Sequence, residues 1–220
     1  MIFHSFGATL IYFSYVLSTN MTDFTNWTRS DGRSARLQQT LNQRQPGLVL
    51  VLENVHDPYN IGAILRSCDA TGVMRVMMVY TIEEPPKINK TTASGALKWL
   101  EFIRYRSISK CFEDLHSEGM QILATKIEPK AANLFSYDLS KPTALVLGNE
   151  HRGISEEAAR GADGLIYIPM MGMVESVNVS VASAICLFEA MRQRQHKGMY
   201  DTPQLSPETI RSTMDEWIRK

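Results

Sequence analysis

The chain has 220 residues, 44% hydrophobic and 21% charged, with 23 Lys plus Arg set against 23 Asp plus Glu. That length makes one domain with helical extensions the expectation, and the balanced charge excludes a uniformly basic nucleic-acid binder, so any such site must come from segregated charge. Cys68, Cys111 and Cys186 are isolated, with no Cys-x-x-Cys and no histidine at ligand spacing. This argues against metal and disulfides, points to a reducing, cytoplasmic compartment, and makes each thiol a small core residue rather than a nucleophile.

Residues 1–20 contain no Lys, Arg, Asp or Glu, and 6–17 are mostly apolar. The stretch is too short to cross a bilayer and lacks the charged start and cleavage site of a secretory signal. We expect residues 1–20 to be a non-native or disordered extension outside the fold, with Met21 a candidate start; a cryptic anchor is the alternative. Residues 21–46 read as a basic helical arm with its helix over 30–43, where Arg29, Arg33, Arg36 and Arg44 form a rough stripe. Such a stripe is either a solvated helix face or a phosphate-contacting arm.

Leu48–Glu53 reads as a strand delivering the loop 54–60, in which Asp57-Pro58 turns the chain and Asn60 is placed to cap a helix running to Thr71. Within that helix Gly62, Ala63 and Ala70 leave Arg66 uncrowded. It can reach a phosphate, or form a weak i, i+3 pair with Asp69. A strand over 75–80 follows, and the loop 83–94, with Lys87 and Lys90, either touches substrate or is a plain connection. Ser109 is read as capping a helix that ends at Gly119, and 120–125 as a strand whose end lies beside Gly148 if the sheet is parallel.

Thr143–Leu147 is apolar on both faces, as in a buried parallel strand, and runs into Gly148-Asn149-Glu150. Chemistry is expected at such a strand end. Residues 164–169 repeat the pattern, and the apolar loop 170–174 wants a ligand or another chain against it. Ser176, Asn178 and Ser180 alternate with valines before a helix whose apolar positions Val181, Ala184, Ile185 and Phe188 keep the i, i+3, i+4, i+7 spacing. One cap is ordinary, but three polar residues in alternation exceed what capping needs. Pro207 opens a last helix in the short C-terminal extension 201–220. The alternation of strands and helices indicates an α/β fold, a mainly parallel sheet flanked by helices. With no G-x-G-x-x-G after the first strand, no P-loop and no G-x-S-x-G, Rossmann and hydrolase readings fail.

Three stretches, ENVHDPYNIGAILRSCDATGV, LGNEHRGIS and IPMMGMVESVNVSVASA, resemble in order the three motifs of the SpoU/TrmH branch of the SPOUT methyltransferases, which make RNA ribose 2′-O-methyl groups. The resemblance covers most of residues 33–200, marks 47–200 as the methyltransferase domain, and implies a C-terminal deep trefoil knot. It implies S-adenosylmethionine held by Thr125, Gly148, Ile168, Met170 and Val177, with Asn60, Arg66, Glu150, Ser176 and Asn178 at the chemistry. A guanidinium is a poor base, so we favour Arg66 as a phosphate clamp, with proton acceptance the alternative. Glu150 and Asn178 are expected to orient Arg66 and the loops, and Ser176 or Asn178 to contact the nucleotide. A homodimer with shared active sites is also implied, and the apolar 181–191 helix suits burial against a partner chain.

The stretch LNQRQPGLVLVLENVHDPYN looks most like family members that methylate guanosine 18 in the tRNA D loop. The expected partner is then tRNA, contacted by Arg29, Arg33, Arg36, Arg44, Lys87 and Lys90. Methylation of another tRNA position or of ribosomal RNA, or a non-catalytic knotted RNA-binding protein, is the alternative.

Overall fold

A computed structural model describes residues 31–82, 84–88, 93 and 95–220. The expected extension 1–20, Arg29 and Lys90 lie outside the described residues. The chain divides after Arg36 into two units, and the second, Leu37–Lys220, holds the sheet. Helix α1 (Asp31–Asn42) leads into β1 (Leu48–Glu53), α2 (Pro58–Ala70), β2 (Arg75–Val79), β3 (Glu101–Tyr105), α3 (Ile108–Ser117), β4 (Gln121–Thr125), the short β5 (Ala132–Asn133) and β6 (Thr143–Leu147). Then come α4 (Glu156–Gly161), β7 (Gly164–Tyr167), α5 (Val179–His196) and α6 (Pro207–Ile218).

All strand pairings in the seven-stranded sheet are parallel, in the order β3-β2-β1-β6-β4-β7-β5. The unbroken apolar runs of β1 and β6 suit burial on both faces. Leu48, Leu50 and Leu52 pack with Ile61, Ile64, Leu65 of α2 and Cys186, Leu187 of α5 on one side. On the other, Val49 and Val51 join Ile108, Phe112, Leu115 of α3 and Ala158 of α4. Burial pushes the Cys111 and Cys186 thiols up to about 12, which disfavours the nucleophilic thiolate. Among the described residues no helix is long and apolar enough to cross a membrane.

Local chemistry differs from expectation at several points. Asp57, not Asn60, caps α2, its side chain accepting from the Tyr59 N–H at 2.8 Å, with Pro58 at the first helical position. Ser107 rather than Ser109 caps α3. Strand β3 was invisible in the pattern because it is an edge strand with Glu101 and Arg104 exposed, which breaks the apolar run. Arg44 is not part of an RNA-facing stripe. The chain leaves α1 at Asn42, and Arg44 turns inward to 0% exposure. There its Nη2 pairs with Asp69 at 2.6 Å, its Nη1 donates to the Val73 carbonyl at 3.0 Å, and its guanidinium lies 5.2 Å from the Trp217 ring of α6.

A second buried arginine ties α5 to the entry points of the central strands. Arg194 donates from Nη2 to the carbonyls of Gly47, just before β1, at 2.6 Å and Lys141, just before β6, at 2.7 Å, and from Nε to Leu139 at 3.0 Å. Burial pulls its pKa down to about 10, against the opposing pull of Tyr200 and Asp138. Arg194→Met should lower the unfolding free energy by about 3 kcal/mol, because it leaves buried carbonyls without a donor. Arg192→Met, which removes an exposed partner of Glu189 on the same helix, should lower it by no more than about 1 kcal/mol. Urea midpoints of the two variants, compared at equal slope, check the contrast.

Candidate active site

The site forms where β1 and β6, neighbours in the sheet, deliver their C-terminal ends side by side. After β6 the main chain doubles back at once, Asn149 and Gly153 exchanging N–H···O bonds of 2.9 and 2.8 Å. The reversal requires Gly148, since a Cβ there would sit 2.0 Å from the Gly153 carbonyl carbon. The buried Asn149 accepts from the N–H groups of His151 and Arg152 and donates across to the Asn54 carbonyl at 2.8 Å. Asn54 itself adopts φ 53°, a left-handed conformation that asparagine tolerates, and its side chain accepts from the N–H groups of Thr81 and Ile82. Asn54 and Asn149 were not anticipated from the sequence. Their one signal is an asparagine within two residues of each strand end.

This framework aims Glu150 at the loop after β1. Its Oε1 accepts from the Asp57 N–H and from Asn60 Nδ2, both at 3.1 Å, and its Oε2 from the His56 N–H at 3.3 Å. Asn60 Oδ1 in turn accepts from Asn178 Nδ2 at 3.0 Å. Asn178 also caps α5, taking the Ser180 N–H at 2.8 Å. Because Asp57 performs the capping of α2, the Asn60 amide is left to bridge Glu150 and Asn178. Partial burial would raise the Glu150 pKa, but hydrogen bonds from Asn60, its own main chain, Asp57 and His56 outweigh it and hold the carboxyl below its ordinary value.

Beside this junction lies a cleft of about 440 Å³ at the ends of β4, β6 and β7. Thr125, Gly148, Ile168, Met170 and Val177, the residues expected to hold a cofactor, all border it, together with Glu150 and Ser176. Its walls include Leu147, Ile154, Ile166, Val179 and Ala182, and residues 148–153 of the reversed loop also line it. The volume and the combination of apolar and polar lining residues suit a nucleoside-sized ligand. Among the described residues no cluster of His, Cys, Asp and Glu is arranged to hold a metal ion.

Arg66 stands elsewhere. It is exposed on α2 and borders a second cleft of about 480 Å³ with Ala63, Ser67, Asp69 and Phe188. Among the described residues its side chain makes no hydrogen bond or ion pair, neither with Glu150 and Asn178 nor with Asp69. Within one chain, therefore, Glu150 and Asn178 position Asn60 rather than Arg66. Arg33, Arg36 and Lys87 are exposed.

The depressed pKa of Glu150 fixes the sign of a pH effect. Its ordering of loop 56–60 is fully present above the usual carboxylate value and is lost as pH falls through the lower folded value. Amide exchange of His56 and Asp57, corrected for intrinsic rates, should show constant protection at neutral pH and a fall only once the pH drops below the ordinary carboxylate range. Glu150→Gln, which turns an NH2 toward one of those N–H groups, should show reduced protection at neutral pH and lack the acid-side fall.

The sequence matches the SpoU rRNA methylase family over residues 47–188 and the C-terminal SpoU rRNA methylase family over 192–218. The chain is 43% identical over 192 residues to the tRNA (guanosine(18)-2′-O)-methyltransferase of Thermus thermophilus, covering 87% of this chain and 98% of that protein. The crystal structure of the A. aeolicus TrmH/SpoU tRNA modifying enzyme is similar with a TM-score of 0.81 at 39% identity, over 86% of this chain and 96% of that one. The SpoU methyltransferase AviRb from Streptomyces viridochromogenes, crystallised with the cofactor AdoMet, is similar with a TM-score of 0.61 at 27% identity, over 70% of this chain and 62% of that one. With matches that take in β1, the reversed loop after β6 and the start of α5, the chain belongs to the SpoU rRNA methylase family.

Proposed function

We propose that the protein is an S-adenosylmethionine-dependent tRNA 2′-O-methyltransferase acting on guanosine 18 of the D loop. The observation that carries the reading is that Glu150 belongs both to the polar junction with Asn60 and Asn178 and to the wall of the nucleoside-sized cleft, so a substrate hydroxyl held at one is adjacent to a donor held in the other. The tRNA position is supported by the Thermus thermophilus relative, whose similarity spans nearly its whole length. The cofactor is supported by the AdoMet complex of AviRb.

Thr125, Gly148, Ile168, Met170 and Val177 would hold the cofactor, the apolar part of the cleft suiting its adenosine. When bound, S-adenosylmethionine supplies an electrophilic methyl group. Arg66, with its guanidinium unpaired, would clamp a phosphate beside the target ribose and so fix the 2′-OH. Glu150, stabilised as a carboxylate and already accepting hydrogen bonds, is a weak base and serves to orient.

The reading includes a homodimer with shared active sites and the family's trefoil knot. In support of the dimer, Val181 and Phe188 of α5 are each 46% exposed, while Met171 and Met173 of the adjoining apolar loop are 93% and 100% exposed. So much apolar surface suits a partner, which could bring its own Arg66 to this chain's cleft. Exposed Arg33, Arg36 and Lys87, with Arg29 and Lys90, would contact the tRNA backbone from the basic arm 21–46 and the loop 83–94. The compartment is cytoplasmic, where tRNA is found.

Methyl transfer from labelled S-adenosylmethionine to tRNA transcripts, with the product nucleotide mapped, tests the reading. We expect 2′-O-methylguanosine at position 18, and a loss of about 100-fold with Arg66→Ala at unchanged cofactor affinity. Methylation confined to another tRNA position or to ribosomal RNA would overturn the substrate. Cofactor binding with no transfer to any RNA would overturn the enzyme in favour of a binding protein.

A further inference from the structure

We infer that Arg44 is a positioning residue for Arg66: by holding the Asp69 carboxylate, it keeps the Arg66 guanidinium unpaired and available to an RNA phosphate. The inference rests on the RNA methyl-transfer reading above. On α2, Arg66 and Asp69 stand three residues apart and border the same cleft, the spacing at which opposite charges pair on a helix. That pair is not made. Asp69 Oδ1 lies 2.6 Å from Arg44 Nη2, and Arg44 also donates to the carbonyls of Asp69, Val73 and Trp99 at 3.4, 3.0 and 3.3 Å.

The competition is unequal for a physical reason. Arg44 is fully buried, so its charge needs Asp69 as a partner, whereas the exposed Arg66 is solvated with or without one. The Trp217 ring beside its guanidinium and the three carbonyls fix Arg44 in place. Without Arg44, the Asp69 carboxylate would face the Arg66 cleft uncompensated. It would then partly neutralise Arg66 and repel a phosphate placed there.

The test compares methyl transfer to tRNA by the full chain carrying Arg44→Met, Arg44→Met with Asp69→Asn, and Arg44→Lys, each read where circular dichroism shows it folded. Arg44→Met should lower kcat/KM for tRNA about five-fold, mainly through KM, and the deficit should shrink as salt screens the carboxylate. Adding Asp69→Asn should restore kcat/KM to within about two-fold of wild type without restoring thermal stability, since neither substitution replaces the lost packing on Trp217. Arg44→Lys, which keeps the charge, should retain activity despite weaker packing, and it decides the matter if Arg44→Met does not fold. A double variant no more active than Arg44→Met, or a folded Arg44→Lys protein impaired five-fold, would overturn the inference while leaving the methyl-transfer reading intact. A wild-type chain that transfers no methyl group would overturn both.

Discussion

The carboxylate of Glu150 joins three stretches of chain that are far apart in sequence. It receives two main-chain N–H groups of the loop after β1 and the Asn60 amide, and through Asn60 it reaches Asn178 at the start of α5. This geometry depends on two earlier constraints. Parallel pairing of β1 with β6 brings the two loops out at adjacent strand ends, and Gly148 lets the chain reverse immediately after β6. A side chain at Gly148 would push Gly153 away and with it the Asn149 bridge to Asn54. The carboxylate stays ionised because its hydrogen bonds outweigh the penalty of partial burial. An ionised, fully engaged carboxylate holds a shape well and accepts a proton poorly.

The opposite end of the sheet is fixed by different chemistry. Arg194 donates mainly to main-chain carbonyls, and Arg44 donates through its Nη atoms to carbonyls and one carboxylate while its buried Nε has no partner among the described residues. A buried guanidinium that donates to several carbonyls ties loops together in a way that an apolar residue of similar size cannot, because carbonyls left without donors are expensive in a protein interior. Arg194 secures the entries to β1 and β6, the same two strands whose exits form the site. Arg44 and Trp217, with Trp99 edge-on at 5.0 Å, dock α6 against the segment that leads into β1.

Much of this was legible in the sequence where the signal was local and strong. Strands Leu48–Glu53 and Thr143–Leu147 have the bounds their sequence indicates, because continuous apolar runs flanked by Gly, Asn and Pro admit few alternatives. The residues expected to hold a cofactor are brought together along one cleft although they come from four separate segments. The caps of α2 and α3 lie two or three residues from the positions their sequence suggests, since several Asx or Ser residues cluster at each helix start and only the folded backbone selects among them. Strand β3 carried no clear alternation because one edge of it faces solvent.

By itself the sequence determined the alternation of the buried strands with helices, the parallel class of the sheet, and the polar residues available at its strand ends, since these follow from periodicity and turn chemistry over a few residues. Tertiary structure decided which of those residues meet. Arg33 and Arg44 belong to one basic stripe by spacing, yet Arg33 is exposed while Arg44 is buried against Trp217. Arg66 has an aspartate at pairing distance along its helix, yet Asp69 is held by Arg44 instead. Helical spacing specifies which side chains share a face; what covers that face comes from segments distant in the chain, and only the fold brings those into contact.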